Sequence, residues 1–395
     1  MAGAAGPNTA ETGLVFAYDT GNTSTCFYGE PTTNVAYAVN NNLNSGGNWW
    51  INGGNATFND NDTSIPKPNV SNVNTSNLYI FSSLVTGTGS NQQLGSSIIT
   101  INPSTTYSFS IWYYFTGTSM QIYPYVRTAV NNDLLAYFAY NGDTNGANWP
   151  KNQWLLLKAT VTTQANETGI YMSSYTGTSL GDKVYYFGYQ VEQKSHCTPL
   201  VLGTRSGTQG MVPFISPASI DIDTVSFDSS ANVIYDGTND YIDLNRTATQ
   251  LGIYDASYTA ECFCYPTVLS SDRTMFGTDQ TAFRQGLHLT FRGNVIYMGH
   301  YSSDYSAGTV TINNWYHIVF RYNAATSMAS IFKNGVLQGS GTIASFIGTT
   351  TLFTGREFGT GNFAGYIPIA KIYNRPLTDL EVAQNFQANR YRFGI

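Results

Sequence analysis

This 395-residue sequence predicts an all-β protein with one short C-terminal helix. Three observations carry that prediction. Runs such as Trp315–Tyr322, Ser330–Leu337 and Phe363–Leu377 alternate apolar and polar residues at period two, as strands with one buried face do. Turn chemistry punctuates them: Asn334-Gly335 after Lys333 tolerates the positive φ of a tight hairpin. A single segment reads as helix. Thr378 at the N-cap and Glu381 at N3 make a capping box, Leu377 and Val382 sit where a hydrophobic staple needs them, and Pro376 closes the strand before it. The helix is expected to run to about Arg390.

Composition agrees. Charged residues are 11% of the chain, against roughly 25% in an average soluble protein. Aromatics reach 14%, with 29 tyrosines, which a disordered chain would lack. The length suits two or three domains, each with its own core. Net charge is -6 and the pI is about 5.1, with no basic patch, so nucleic acid is not an expected partner. The N-terminus lacks the basic and apolar regions of a secretion signal, and no run approaches the twenty or so apolar residues of a membrane span. Asn55-Ala-Thr57 and Asn74-Thr-Ser76 then reflect Asn/Thr-rich composition rather than glycan acceptors. Cys26, Cys197, Cys262 and Cys264 form no Cys-x-x-Cys pair, so they are expected to be small, reduced packing residues.

In chain order, Gly13–Asp19 is the first strand-like run, and a block over 31–204 follows it. That block holds Trp49-Trp50, the runs Ile101–Trp112 and Trp154–Val161, and a last run Val184–Glu192 leading to Cys197-Thr-Pro199. Its order resembles a carbohydrate-binding-module-like jelly roll, with strands of the type "P-G-x-T-Y-x-F-S-x-W", "W-x-x-x-x-A-T" and "Q-x-E-x-G-x-x-A-T-P". Ser104 replaces the turn glycine of that pattern, and Lys194-Ser195-His196 fills the segment before Thr-Pro. The C-terminal runs resemble the laminin-G-like, concanavalin A-like jelly roll, with its "W-x-H-V-x-x-x-Y" strand, "Y-x-N-G" hairpin and "I-Y-N-R-x-L" close. Gly13–Asp19 is similar to the first strand of that domain, yet the "F-D-G-x-N-D-Y-I" element that should follow appears only at Ile234–Ile242.

The resemblance implies two antiparallel jelly-roll sandwiches, one inserted in an early loop of the other. Residues 1–30 would be an N-terminal arm and first strand, 31–204 the inserted unit and 205–395 the rest of the laminin-G-like domain. Three units in a row, with 1–30 as a separate arm, is the other arrangement.

No catalytic group is expected. Retaining glycoside hydrolysis needs two carboxyl groups about 5–5.5 Å apart. None of Glu11, Glu30, Glu167, Glu192, Glu261, Glu357 and Glu381 has a second acid at i, i+2 or i+4 within a strand-like run. Asp221 and Asp223 have the spacing but read as a solvated connector. His196, His288, His300 and His317 accompany no Gly-x-Ser-x-Gly nucleophile, and His288 with His300 lacks a third zinc ligand. The resemblance does imply calcium as an occasional loop-bound ion, for which Asp236, Asn239, Asp240 and Asp243 are candidates. The same Asp236–Asp240 segment is good turn chemistry without an ion. No other cofactor is expected.

The binding candidates are aromatic. Trp112 and Tyr114 share one face of Ser108–Tyr114, and Gln121, Tyr123, Tyr125 and Arg127 share one face of Gln121–Arg127. On a concave sheet these would form a glycan platform with polar rims. Trp112 as a core aromatic is the alternative.

The ending Asn385–Gly394 is similar to the "N-Y-x-A-x-K-x-R-F-G" close of many phage laminin-G-like proteins. That resemblance implies a virion structural protein, a capsid decoration or a tail or fibre component, displayed on the particle surface after assembly in the bacterial cytoplasm. Its expected partners are other virion proteins, further copies of itself in a homo-oligomer, and host-surface or environmental polysaccharide. A polysaccharide depolymerase on the same fold and a bacterial surface adhesin are the rival expectations.

Overall fold

The computed structural model describes residues 9–22, 26–38, 49–52, 54–70, 73–76, 78–87, 93–117, 124–175, 179–215 and 220–395. The chain divides into two compact units, Met1–Pro31 with Ser206–Ile395, and Thr32–Arg205. The second unit is therefore an insertion in the chain of the first. Among the described residues both are antiparallel sandwiches, and the longest helix is C-terminal.

In the split unit, an eight-stranded sheet faces a six-stranded one. The strand Leu14–Asp19 explains how the two chain segments become one body. It pairs with the far half of Ala364–Tyr373, Asp19 opposite Ile369, while Val233–Asp236 pairs with the near half, Ile234 opposite Tyr366. Phe16 and Tyr18 enter the core between the sheets with Ile242, Phe291, Met298 and Phe320. The buried Tyr18 hydroxyl is satisfied by Ile367 O at 3.2 Å and lies 3.4 Å from the Tyr235 hydroxyl. The hairpin from Met328–Lys333 to Val336–Thr342 turns on Asn334 (φ 52°) and Gly335 (φ 78°), both left-handed as the dipeptide allows.

The helix Asp379–Phe393 carries the capping box, Thr378 accepting from Glu381 N, and ends on left-handed Gly394, one turn beyond the sequence expectation. It covers the outer face of the eight-stranded sheet. Phe386 and Phe393 pack on Phe263 and Ile369, and Val382 packs with Leu377, Val319 and Phe332. Beneath it lies a buried charge, Glu261, held by Lys371 Nζ at 3.0 Å and Asn385 Nδ2 at 2.9 Å. Asn385 Oδ1 accepts from Ala10 N at 2.7 Å, which ties the N-terminal segment to the same cluster.

In the inserted unit, one sheet has the order Leu155–Thr162, Thr106–Phe115, Lys183–Glu192, Phe81–Val85, Ala56–Asn59. The other runs Leu134–Tyr137, Tyr125–Thr128, Gly169–Tyr175, Gln93–Ser96, Trp49–Asn52, with Ile99–Thr100 also on Gly169–Tyr175. Phe109, Ile111, Tyr113, Val126, Leu157 and Met172 fill the space between them. Ser104, standing where the resembling pattern has glycine, takes φ 50°.

The motif Gln190-Val-Glu192 and Thr198-Pro199 closes this unit. Glu192 accepts from Thr198 N at 3.0 Å and Thr198 Oγ1 at 2.6 Å, and Gln190 Oε1 accepts from Val201 N at 2.7 Å. The two ends of the insertion pair as strands, Thr33 opposite Thr204. All four cysteines are free, and Cys197 Sγ donates to Phe109 O.

Candidate functional site

Alternation along Tyr125–Thr128 buries Val126 in the sandwich and turns Tyr125 and Arg127 to the outer face. Cross-strand register then assembles a platform around them. Tyr137 stands opposite Tyr125, Tyr171 opposite Arg127, Ser173 opposite Tyr125, and Tyr175 follows on the same face as Ser173. Further along the sheet, Ser173 pairs with Gly95 and Gly95 with Trp50. Trp49, its sequence neighbour, points the other way into the core.

The rings form two groups, linked through Arg127 and Asn132. Tyr125 lies 6.3 Å from Tyr137 and 6.0 Å from Tyr175, and Trp50 lies 6.1 Å from Tyr171. The middle of the face is closed, with Tyr125 2% and Ser173 1% exposed, while Trp50 (37%) and Tyr137 (45%) are open to solvent. Trp50 Nε1 donates to Ser96 O at 3.0 Å, which fixes the indole. The Arg127 guanidinium sits 4.8 Å above the Tyr125 ring and donates to Asn132 O, and Tyr171 donates to Asn132 Oδ1. Burial raises the Tyr171 hydroxyl above its ordinary pKa, against the pull of Arg127. Two buried polar atoms on this face, the Tyr125 hydroxyl and Ser173 Oγ, have no hydrogen-bond partner among the described residues. Half-open aromatic rings with polar groups between them match the apolar faces and hydroxyl edges of sugars.

Trp112 and Tyr114 do not join this face. They lie on the outer side of the opposite sheet, in a separate apolar cluster with Tyr185, Phe187, Leu78 and Ile80. Residues before and within 73–76 cover them: Ile65, Val70 and Val73 pack on the cluster, and Trp154 Nε1 donates to Pro66 O at 2.8 Å. Alternation fixes which residues share a face of a strand but not what covers it, so a covered face and an open one read alike. Gln121 and Tyr123 lie outside the described residues. Trp50, Tyr137, Tyr171 and Tyr175 were not among the sequence candidates. The period-two placement of Tyr171, Ser173 and Tyr175 was a usable signal; the strand order that joins them to Trp50 was not available.

The calcium candidates do not converge. Asp236 Oδ1 accepts from Thr238 N and Asn239 N, and Asp240 Oδ2 accepts from Asp236 N, so these carboxylates close a turn. Asp243 instead accepts from Asn245 N. No group of three metal-binding side chains occurs among the described residues. The set does not fit an ion.

The split unit holds an acid pair that spacing along the chain cannot reveal. On the outer face of its six-stranded sheet, Glu357 meets Asp272, eighty-five positions away in sequence. Burial, reinforced by the Asp272 charge and opposed by Thr274 and Arg292, pushes the Glu357 carboxyl up to about 8. Arg292 binds Asp304 at 2.9 Å, and Asp304 lies 2.9 Å from His288 Nε2. Burial opposes ionisation of Asp304, but His288 and Arg292 outweigh it and hold the group at about 2. The search for a second acid at i, i+2 or i+4 within one run does not reach such a pair, whose members lie far apart in the chain. However, Glu357 is 1% exposed and wedged between Gly277 and Gly361, where any Cβ would strike its side chain.

Residues 236–383 match the family model of the concanavalin A-like lectin/glucanases superfamily. They form a laminin-G-like, concanavalin A-like domain. No curated protein matches the chain in sequence. Among solved structures, a carbohydrate-binding module (CBM40) of the Ruminococcus gnavus IT-sialidase, bound to α2,3-sialyllactose, is 16% identical. That match covers 38% of this chain and 94% of that one with a TM-score of 0.34. Domain 4 of a Geobacillus stearothermophilus arabinanase in complex with arabinotriose is 20% identical, covering 44% and 84% at TM-score 0.33. The receptor-binding domain of botulinum neurotoxin type G is 16% identical, covering 46% and 49% at TM-score 0.36.

Proposed function

We propose that this protein is a non-enzymatic glycan-binding protein whose inserted unit holds polysaccharide on the face built by Trp50, Tyr125, Tyr137, Tyr171 and Tyr175. The observation that carries it is the exposed Trp50 ring set against half-buried Tyr171 on a face that also holds Arg127 and exposed Tyr137. Sugar rings stack on open aromatic faces of this kind, with polar groups at the rim meeting their hydroxyls. The match of the other unit to the concanavalin A-like lectin/glucanases superfamily is consistent with a carbohydrate ligand. Binding rather than hydrolysis is favoured because the Glu357–Asp272 pair has its protonated member enclosed by protein.

The finer proposal is a virion surface protein of a tailed phage, with adhesion to host or environmental polysaccharide as its task. It rests on the resemblance of Asn385–Gly394 to phage laminin-G-like endings. Detection of the chain in purified particles tests it, and absence from them removes it.

A glycan array probed with the full chain tests the binding function. Retention on at least one polysaccharide, lost in the Trp50→Ala/Tyr171→Ala variant, is the expected result. No retention anywhere, or retention unchanged in the variant, would overturn it.

A further inference from the structure

The charges of the inserted unit narrow the ligand class. By sequence, residues 32–205 carry seven acidic groups (Asp60, Asp62, Asp133, Asp143, Glu167, Asp182, Glu192) and seven basic ones (Lys67, Arg127, Lys151, Lys158, Lys183, Lys194, Arg205). The fold does not expose them equally. Asp62, Glu167, Asp182 and Glu192 are buried, whereas of the basic groups only Arg205 is. Asp62 is neutralised by Lys183 at 2.5 Å, and Glu167 accepts from Gly169 N and Ala129 N. Basic side chains therefore outnumber acidic ones on the exterior of this unit.

Arg127 stands in the aromatic face itself. Arg284, Arg292, Arg321, Arg356, Arg375 and Arg392 each hold a carboxylate, but among the described residues no carboxylate pairs with Arg127. It is held by Asn132 O and the Tyr125 ring, which orient the guanidinium without neutralising it. Tyr137, at the edge of the same face, also lines a cleft of about 440 Å³ with Asn141, Leu156, Lys158 and Thr160. Lys158 is exposed and its ammonium makes no ion pair or hydrogen bond among the described residues. The aromatic face therefore carries one oriented cation and runs, through Tyr137, into a cleft carrying another.

We infer that the ligand is an acidic polysaccharide bearing sugar carboxylates, with Arg127 as the carboxylate receptor and Lys158 as a second anion contact further along the chain. This rests on the glycan-binding function proposed above. The planar fork of a guanidinium matches a carboxylate in two parallel hydrogen bonds, and stacking on Tyr125 keeps that fork in place. A neutral glycan would leave both cations without partners.

The test uses the full chain in affinity electrophoresis through alginate, polygalacturonate, hyaluronan and polysialic acid, each beside its carboxyl-reduced form, with amylose and dextran as neutral polymers. Expected are retardation by at least one acidic polymer and its loss on carboxyl reduction. Arg127→Gln should weaken that binding by about 10- to 100-fold, the scale of a charge-assisted hydrogen bond, and Arg127→Lys by less. Lys158→Gln should weaken it by a smaller factor, and all three variants should keep the wild-type circular dichroism. Retardation by neutral polymers that needs Trp50 but is indifferent to Arg127→Gln would overturn this inference and leave glycan binding standing. Failure to bind any polymer would overturn both.

Discussion

A Cβ added to Gly95 would stand 2.1 Å from Trp50 Cζ2, so the indole of Trp50 lies across the backbone of its cross-strand partner. The glycine is a seat for a ring that supplies much of the open aromatic surface. Gly95→Ala should displace the indole and weaken glycan binding about as much as Trp50→Ala does. For an aromatic anchor about 1–2 kcal/mol is expected, roughly 5- to 30-fold in Kd. Isothermal titration with unchanged circular dichroism checks it.

The buried Glu261 should make the split unit acid-sensitive. Burial raises this carboxyl, but Lys371, His317 and Asn385 outweigh it and bring it from 4.5 to about 2. A depressed folded pKa stabilises the fold above the ordinary value, and the contribution is lost as pH falls from about 4.5 through about 2. Glu261→Gln leaves the Lys371 ammonium 9% exposed without a counter-charge, and should destabilise the unit by about 3–5 kcal/mol. Faster hydrogen exchange in residues 379–393, which pack over this site, is the readout.

Glu357 works in the opposite sense. Its folded carboxyl titrates near 8 against 4.5 unfolded, so the folded state binds the extra proton between those values. Stability should therefore fall with rising pH across that window, by at most roughly 1.4 kcal/mol per unit. Glu357→Gln mimics the protonated acid and should flatten that slope, making the variant more stable than wild type at pH 9. Urea midpoints at pH 5, 7 and 9 measure it.

Ser104 occupies a left-handed conformation, φ 50°, that costs a side-chain residue about 1–2 kcal/mol. Ser104→Gly relieves this, less the greater chain entropy of glycine, so a gain of about 0.5–1 kcal/mol is expected. The thermal midpoint of the inserted unit should rise, with glycan affinity unchanged.

Much of the fold was legible because it is written in local chemistry. Thr378 and Glu381 announce the helix, Asn334-Gly335 announces the hairpin, and the displaced successor of Gly13–Asp19 announces an interrupted domain. Ser104 was visible as a departure, but its left-handed backbone was not. The site was half legible. Tyr125 and Arg127 share a face by alternation alone, yet Trp112 obeys the same alternation and is packed in a cluster with Ile65, Val70 and Val73. What divides them is long-range: which strands adjoin, and which loop lies over which sheet. The same reason hid Glu357 from Asp272, which meet only through the order of the six-stranded sheet.

The central claim is that glycan lies on the Trp50–Tyr137 face of the inserted unit. A crystal structure of the full chain, soaked with an oligosaccharide from the polymer it retains best, addresses this directly. The account predicts sugar rings on Trp50 and Tyr171 with a carboxylate on Arg127. Sugar seated instead along Asp272–Gly277 and Leu287–Arg292 of the split unit, with the Trp50 face bare, would contradict it.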